Sequence, residues 1–395
     1  MLLSPAVNTS NRPAILGLGF RPFYLAGALF AVVAIVAWLG IFTGSLQFGR
    51  ELTGIDWHGH EMVFGFIAAI IAGFLLTAVR NWTGLPTPTG TVLGLLVLCW
   101  LLPRILLLTG PYAAAVILDV VFLPLLAVAV LLPILRSRNR RNYKVVVLVL
   151  VIAALHAAFH LAQRGALPQG LMRALLIGTV DTVAILLALI GGRVIPAFTR
   201  NAVPGSTPRH ERWLEILAFG SLILLAATGL GRGMSVIPGW IPASLALFAA
   251  AAHALRLALW QPQLTVGNPL LWMLPVSYGW LPVVFLLRGL SEFGMPAGAA
   301  WIHAMTAGAI TSMMMAMMMR STQGHTGRPL GATPFDMLIF LLIQLGAVLR
   351  VLAPVLGDYR SMVLASGAVW AGALLAFLIR YLPMLSRPRI DGKPG

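Results

Sequence analysis

Acidic side chains are scarce in this sequence. Asp and Glu together number 11 in 395 residues, and charged residues of both signs make up only 10%, where a soluble domain carries about a quarter. So few charges cannot coat a water-soluble globule, and the apolar content excludes a disordered chain. Cysteine is almost missing as well. The single Cys99 rules out an intrachain disulfide and a metal held by several thiolates. Long polar connections are also lacking. The longest, around residues 192–210, leaves no room for an inserted soluble domain. No cleavable signal peptide is apparent, because residues 1–22 are mixed, carry Arg12 and Arg21, and lead into an apolar run long enough to span.

What is present is apolar. Hydrophobic residues make up 59% of the chain, and a membrane span needs about 20 mostly apolar residues. Twelve runs qualify, near 23–44, 57–79, 90–109, 112–134, 145–163, 170–191, 211–230, 237–258, 269–288, 298–319, 334–354 and 361–384. The expected fold is therefore all-α, a polytopic bundle of about twelve transmembrane helices forming a single membrane domain over 1–395.

The net charge of +16 would suit nucleic acid, but topology explains it first. Lys and Arg collect in cytoplasmic loops. If the N-terminus, the even-numbered loops and the C-terminus share one side, that side holds 19 Lys and Arg, including the run Arg136 to Lys144, and the other holds 8. This split puts both termini in the cytoplasm and leaves no excess for a nucleic acid to explain.

A weak internal repeat runs through the spans. The second reads His60-Glu-Met-x-x-Gly65 and ends at Arg80; the tenth reads His303-Ala-Met-x-x-Gly308 and ends at Arg320. The sixth carries Asp181 and ends in Gly191-Gly192-Arg193. These helices are four apart, which raises a threefold arrangement of four-helix units. Chance likeness among apolar helices rich in Gly and Met is the competing account.

Histidine inside a span is costly and marks a pathway, a relay or a ligand. His58 and His60 open the second span, His156 and His160 close the fifth, and His303 opens the tenth. The topology puts all five near the outer face. His156 and His160 are i,i+4 and share a helix face, which suits one site. Imidazole ligates iron, copper and zinc, and axial His commonly holds haem iron. Zinc fits less well here, since neither a Cys cluster nor an HExxH pattern occurs. Packing residues bonded in the core are the alternative for each histidine singly. His253, His210 and His325 fall at or toward the inner face.

Glu61 follows His60 and suits a proton relay, a group that orients the imidazole, or an acid at the start of a helix. Arg104 and Asp119 fall in the outer halves of adjacent spans and read as a structural ion pair. Asp181 near mid-membrane reads as a proton carrier, or as the partner of a cation such as Arg173. The run Met313 to Met319 invites copper, because thioethers suit Cu(I). Six methionines around nearly every face of one helix cannot converge on one ion, however, so packing explains most of them. The inner loops Gly19-Phe-Arg-Pro-Phe23, Arg80-Asn-Trp-Thr-Gly84, Gly191 to Asn201 with Arg193, and Gly324-His-Thr-Gly-Arg-Pro329 each mix Arg with Gly or Pro. Such arginines suit haem propionates or another anion; topological charge in tight turns is the alternative.

The strings Trp57-His-Gly-His-Glu-Met-Val-Phe-Gly-Phe66, Gly73 to Val79, Asn81-Trp-Thr-Gly84, Gly19 to Phe23, Asp119 to Pro124, Arg138 to Asn142, Gly191 to Asn201 and His303 to Leu330 closely resemble the NnrS family. The resemblance covers nearly the whole chain in order. It implies a bacterial inner (plasma) membrane protein of twelve spans containing haem and copper, associated with denitrification and tolerance of nitric oxide. Carried over by motif, the cofactor residues fall on His58, His60, His160, His303 and His325, with Glu61 beside them. Two positions depart from the family pattern. Pro275 follows Leu270 to Leu274 where a His is common, and His156 stands where Asn is common.

Three functions follow for consideration. The leading one is a haem and copper protein that binds, converts or protects against nitric oxide. Here His58, His60, His156, His160 and His303 are the metal ligands and Glu61 is the catalytic candidate, as a proton relay or as the group that orients a ligand. An enzyme of this kind needs an external electron donor. The second is a transporter of a metal, haem or small anion, and the third is an assembly factor that delivers haem or copper.

Overall fold

The computed structural model describes residues 13–47, 52, 54–168, 170–233, 237–295 and 300–393, without the side chains of 232 and 233. Arg12 and Arg50, both counted in the charge asymmetry, lie outside these residues. All regular structure among the described residues is helical. In lipid every backbone polar group must be paired within the segment, which leaves a helix as the available form for a single span.

Twelve helices are long and apolar enough to cross a membrane: α1 (Phe20–Thr43), α2 (Gly54–Thr83), α3 (Gly90–Thr109), α4 (Tyr112–Arg136), α5 (Arg140–Gln163), α6 (Leu171–Ala202), α7 (Arg212–Gly231), α8 (Trp240–Leu259), α9 (Pro269–Glu292), α10 (Ala300–His325), α11 (Pro334–Leu352) and α12 (Tyr359–Ser386). Each overlaps one of the apolar runs read from the sequence, but α6 continues to Ala202 through Gly191 to Asn201, expected to be a loop; the glycines and Pro196 do not end it. Side chains such as Leu29, Val33 and Val36 on α1, and Val92, Leu95 and Leu98 on α3, point outward. Apolar faces this extensive belong against lipid.

The helices form three arcs of four. Successive helices pack along α3–α4–α5–α6, along α7–α8–α9–α10, and along α11–α12–α1–α2. Each arc ends in a central helix. The most apolar stretches of α2, α6 and α10 are 89, 83 and 67% buried, against 28% for α1 and α3. Helices α2, α6 and α10 meet around an apolar cavity of about 70 Å³, lined among others by Ile71 and Phe74, Leu187 and Ile190, and Met313 and Met317. The methionine run thus serves the core: Met313, Met315, Met318 and Met319 are buried in it.

The repeat extends to the backbone. In α2 the helix widens to a π segment over Glu61–Ile67, directly after His60. In α10 the same widening covers Ala304–Ile310, directly after His303. Gly65 and Gly308 sit at matching places in the two segments, and each faces an aromatic ring, Phe30 and Trp280 respectively. A side chain at either glycine would collide with that ring. π segments concentrate at functional sites because they re-aim neighbouring side chains.

Candidate metal centre

Three histidines and one aspartate converge near one end of the bundle. His60 comes from the start of α2, His156 and His160 from the last turns of α5, and Asp119 from α4. The i,i+4 spacing on α5 aims both of its imidazoles at α2. Phe64, one turn after His60, stacks on the His156 ring at 3.8 Å with planes 13° apart, which fixes that ring.

His60 Nε2 lies 3.2 Å from His156 Nε2 and 3.3 Å from His160 Nε2. Asp119 Oδ2 lies 3.2 Å from His60 Nε2, 3.3 Å from His156 Nε2 and 3.3 Å from His160 Nε2. All four residues are buried. These are five of the six edges of a tetrahedron, and the four residues each offer a ligand atom within 4.8 Å of the others. With edges of about 3.3 Å, the centre of a tetrahedron lies about 2.0 Å from each corner, the bond length from a first-row metal to imidazole nitrogen or carboxylate oxygen. The donor set therefore fits one four-coordinate ion. It suits zinc as well as it suits copper, which the sequence pattern had not suggested.

A ring of contacts behind the ligands orients them. His60 Nδ1 donates to Glu61 Oε1 at 3.0 Å. That fixes the tautomer and turns a lone pair at Nε2 toward Asp119 Oδ2. Two acceptors facing each other at 3.2 Å repel, and a cation between them converts that repulsion into coordination. Glu61 Oε2 accepts from Arg104 Nη1 at 2.8 Å, and the other terminal nitrogen, Nη2, donates to Asp119 Oδ1. With both carboxylates ionised and Arg104 protonated, the cluster carries one net negative charge. A buried charge of this kind calls for a cation. Trp100 Nε1 on α3 donates to the Gly65 carbonyl at 2.9 Å, which ties the π segment to the helix that supplies Arg104.

The other sequence-derived candidates lie apart. His58 points away from the cluster and stacks on Trp38, with ring centroids 4.5 Å apart. His303 sits just before the π segment of α10, outside the four-residue group. His325 packs against Phe20 at the far end of α10. Arg193 donates to Asn142 Oδ1 at 2.6 Å and to the Arg141 carbonyl. Glu61 is close to the ligands but reaches them only through His60 and Arg104. Asp181 pairs with Arg288 at 2.7 Å, where the sequence reading had named Arg173. His253 bonds the Tyr278 hydroxyl at 2.7 Å. The sequence reading gave Asp119 to Arg104 alone and missed its second oxygen. An acid at the depth of the outer histidines was the available signal.

A search among curated proteins returns no match. Across families, the one described as NnrS protein matches residues 14–389.

Proposed function

The chain belongs to the NnrS family, and on that premise we propose that it holds copper on His60, His156, His160 and Asp119 and serves to bind, convert or protect against nitric oxide. The set of five near-equal ligand separations carries this reading. Cu(I) accepts a tetrahedral site, and its single charge neutralises the net charge of the cluster. When bound, copper would supply a one-electron centre, and a small diatomic ligand would reach it by taking the place of one of the four donors.

The residues around the ion have separate tasks. His60, His156, His160 and Asp119 bind it. Glu61 holds the His60 tautomer. Arg104 keeps Glu61 and Asp119 from repelling each other. Phe64 and Phe159 cover the imidazoles and keep water out. Nitric oxide is small and apolar, so it enters from the lipid without a polar channel. We place the protein in the bacterial inner membrane with both termini cytoplasmic, and a redox role requires an external electron donor.

Family membership brings haem as a second expectation. The four-ligand cluster does not suit a porphyrin, because its donors meet at a single point about 2 Å from each and leave no plane for a macrocycle. Haem would have to be held by other residues, with His58 and His303 the histidines nearest in depth.

The test is metal analysis and optical spectroscopy of the purified full chain, expressed with copper and haem supplied, reduced and then exposed to nitric oxide. One copper per chain is expected, lost in His156→Ala, with a spectral change on adding nitric oxide. Stoichiometric zinc without copper, or no first-row metal at all, would overturn the reading.

A further inference from the structure

The end of the bundle opposite the histidine cluster gathers more cations than counter-charges. Arg21, at the start of α1, is fully buried at 0% exposure. Its Nη1 donates to the carbonyls of Leu385 at 2.9 Å and Arg387 at 2.7 Å, where α12 ends. Its Nε and Nη2 are buried and bond to nothing among the described residues, and the same holds for Nη1 of Arg328. Arg328 and Arg389 lie close enough to Arg21 to repel it. His325 stands among Arg389, Arg80 and Arg21. Three of the Arg-containing segments expected from the sequence to be inner loops, distant in sequence and here formed by the ends of α1, α2 and α10 with the turn after α10, thus meet in one place.

Among the described residues, one carboxylate is bonded to this cluster, and it is already engaged. Asp391 accepts from Arg389 Nε at 2.9 Å and Nη2 at 2.6 Å. The same segment seats on the loop after α10: Ile390 N donates to the Thr326 carbonyl at 3.2 Å, and Arg389 Nη1 to the His325 carbonyl at 3.0 Å. Asp391 packs against Gly327, whose φ of +78° turns the chain toward Arg328. Carbonyls at the end of α12 offset part of the charge on Arg21, but a neutral carbonyl does not balance a buried guanidinium.

We infer that Arg21, Arg80, His325, Arg328 and Arg389 form a binding site for a phosphate group, carried by an anionic phospholipid or by free phosphate. Guanidinium forks match the tetrahedral oxygens of phosphate, and basic pockets between helices at the cytoplasmic membrane surface take lipid headgroups. The unpartnered nitrogens of Arg21 and Arg328 are the donors left over for it. The site is independent of the metal reading. His60 and Arg80 are 20 residues apart on α2, which separates them by about 30 Å along the helix.

Two arms test it on the full chain in detergent. Native mass spectrometry follows retention of phosphatidylglycerol through delipidation, with phosphatidylethanolamine as the zwitterionic comparison. Thermal unfolding with inorganic phosphate, against chloride at equal ionic strength, reads the free anion. Arg328→Gln and Arg389→Gln test the site, and Arg138→Gln, a surface charge elsewhere at the same end, is the control. One retained phosphatidylglycerol per chain, weakened about fivefold by either test variant, assigns the site to a headgroup. A phosphate-specific rise in unfolding temperature, lost in both test variants, with no retained lipid, assigns it to free phosphate. Equal retention of the zwitterionic lipid, an equal effect of Arg138→Gln, or no binding in either arm would overturn the proposal.

Discussion

Asp119 bonds Arg104 through one carboxylate oxygen and turns the other toward His60 Nε2, 3.2 Å away. A single acid thus joins the structural ion pair to the ligand cluster. Asp119→Asn keeps the shape but removes the charge at Oδ2. Metal affinity should fall by at least the 10–100-fold that follows loss of an orienting group, while the fold survives. Metal content after dialysis against a graded chelator series checks this, with circular dichroism to confirm helicity. Wild-type retention of metal would remove Asp119 from the ligand set.

Arg104 bridges Glu61 and Asp119, and all three are buried. Arg104→Met leaves two carboxylates facing each other without a cation. Breaking a buried pair in this way costs about 3–5 kcal/mol. The loss should be larger in metal-free protein than in metal-loaded protein, because a bound ion takes over part of the compensation. Unfolding temperatures of the two forms measure the difference. Equal losses would mean that Arg104 acts on packing alone.

Gly65 lies in the π segment, where an added Cβ meets the Phe30 ring and comes within 3.0 Å of Glu61 Oε2. Gly65→Ala should cost about 1–3 kcal/mol from overpacking and should also disturb the metal spectrum by displacing Glu61 from His60. Gly308→Ala meets Trp280 instead. It should destabilise by a similar amount and leave the spectrum of the His60 cluster unchanged. Spectra and unfolding temperatures measured on both variants separate the two effects.

The sequence made much of this legible. Apolar runs located every helix, because a span in lipid has no other local solution. The i,i+4 spacing of His156 and His160 announced a shared face, and the loop charges gave the three ends of α1, α2 and α10 a common character. The common depth of His60 and that pair was legible too, but the exclusion of His58 and His303 and the entry of Asp119 were not, because they depend on how α2 packs against α4 and α5. Nor was the partner of Asp181. Arg173 is eight residues away in sequence, whereas Arg288 lies on a neighbouring helix and its depth alone brings it opposite. The π segments left only the trace of His, Met and Gly at matching offsets.

The segment after α12 offers a pH prediction. Hydrogen bonding from Arg389 holds the Asp391 carboxyl below the usual carboxylate range. A lowered pKa in the folded state means that docking gains from the carboxylate above its ordinary pKa of about 3.9 and loses that gain as pH falls through the lowered value. Exchange protection of the Ile390 amide, bonded to Thr326, should therefore hold from neutral pH down to about 4 and weaken only below it. Asp391→Asn should loosen the segment already at neutral pH. Unchanged protection in that variant would show that Arg389 and Ile390 dock it unaided.

The Lys and Arg asymmetry of 19 to 8 predicts which loops face the cytoplasm, and single-cysteine labelling reads this directly. Cys99 lies within α3 and is half-buried, so Cys99→Ala gives a clean background. Asn201, in the last turn of α6, and Ala166, between α5 and α6, are both exposed and lie at opposite ends of α6. A membrane-impermeant thiol reagent applied to intact spheroplasts should label Ala166→Cys at once and Asn201→Cys only after permeabilisation. Positive loops resist translocation whatever the later folding of the bundle, so the result bears on insertion and not on packing. The reverse pattern would invert the molecule. It would place the phosphate-binding cations outside and the histidine cluster toward the cytoplasm, where an electron donor would then have to reach it.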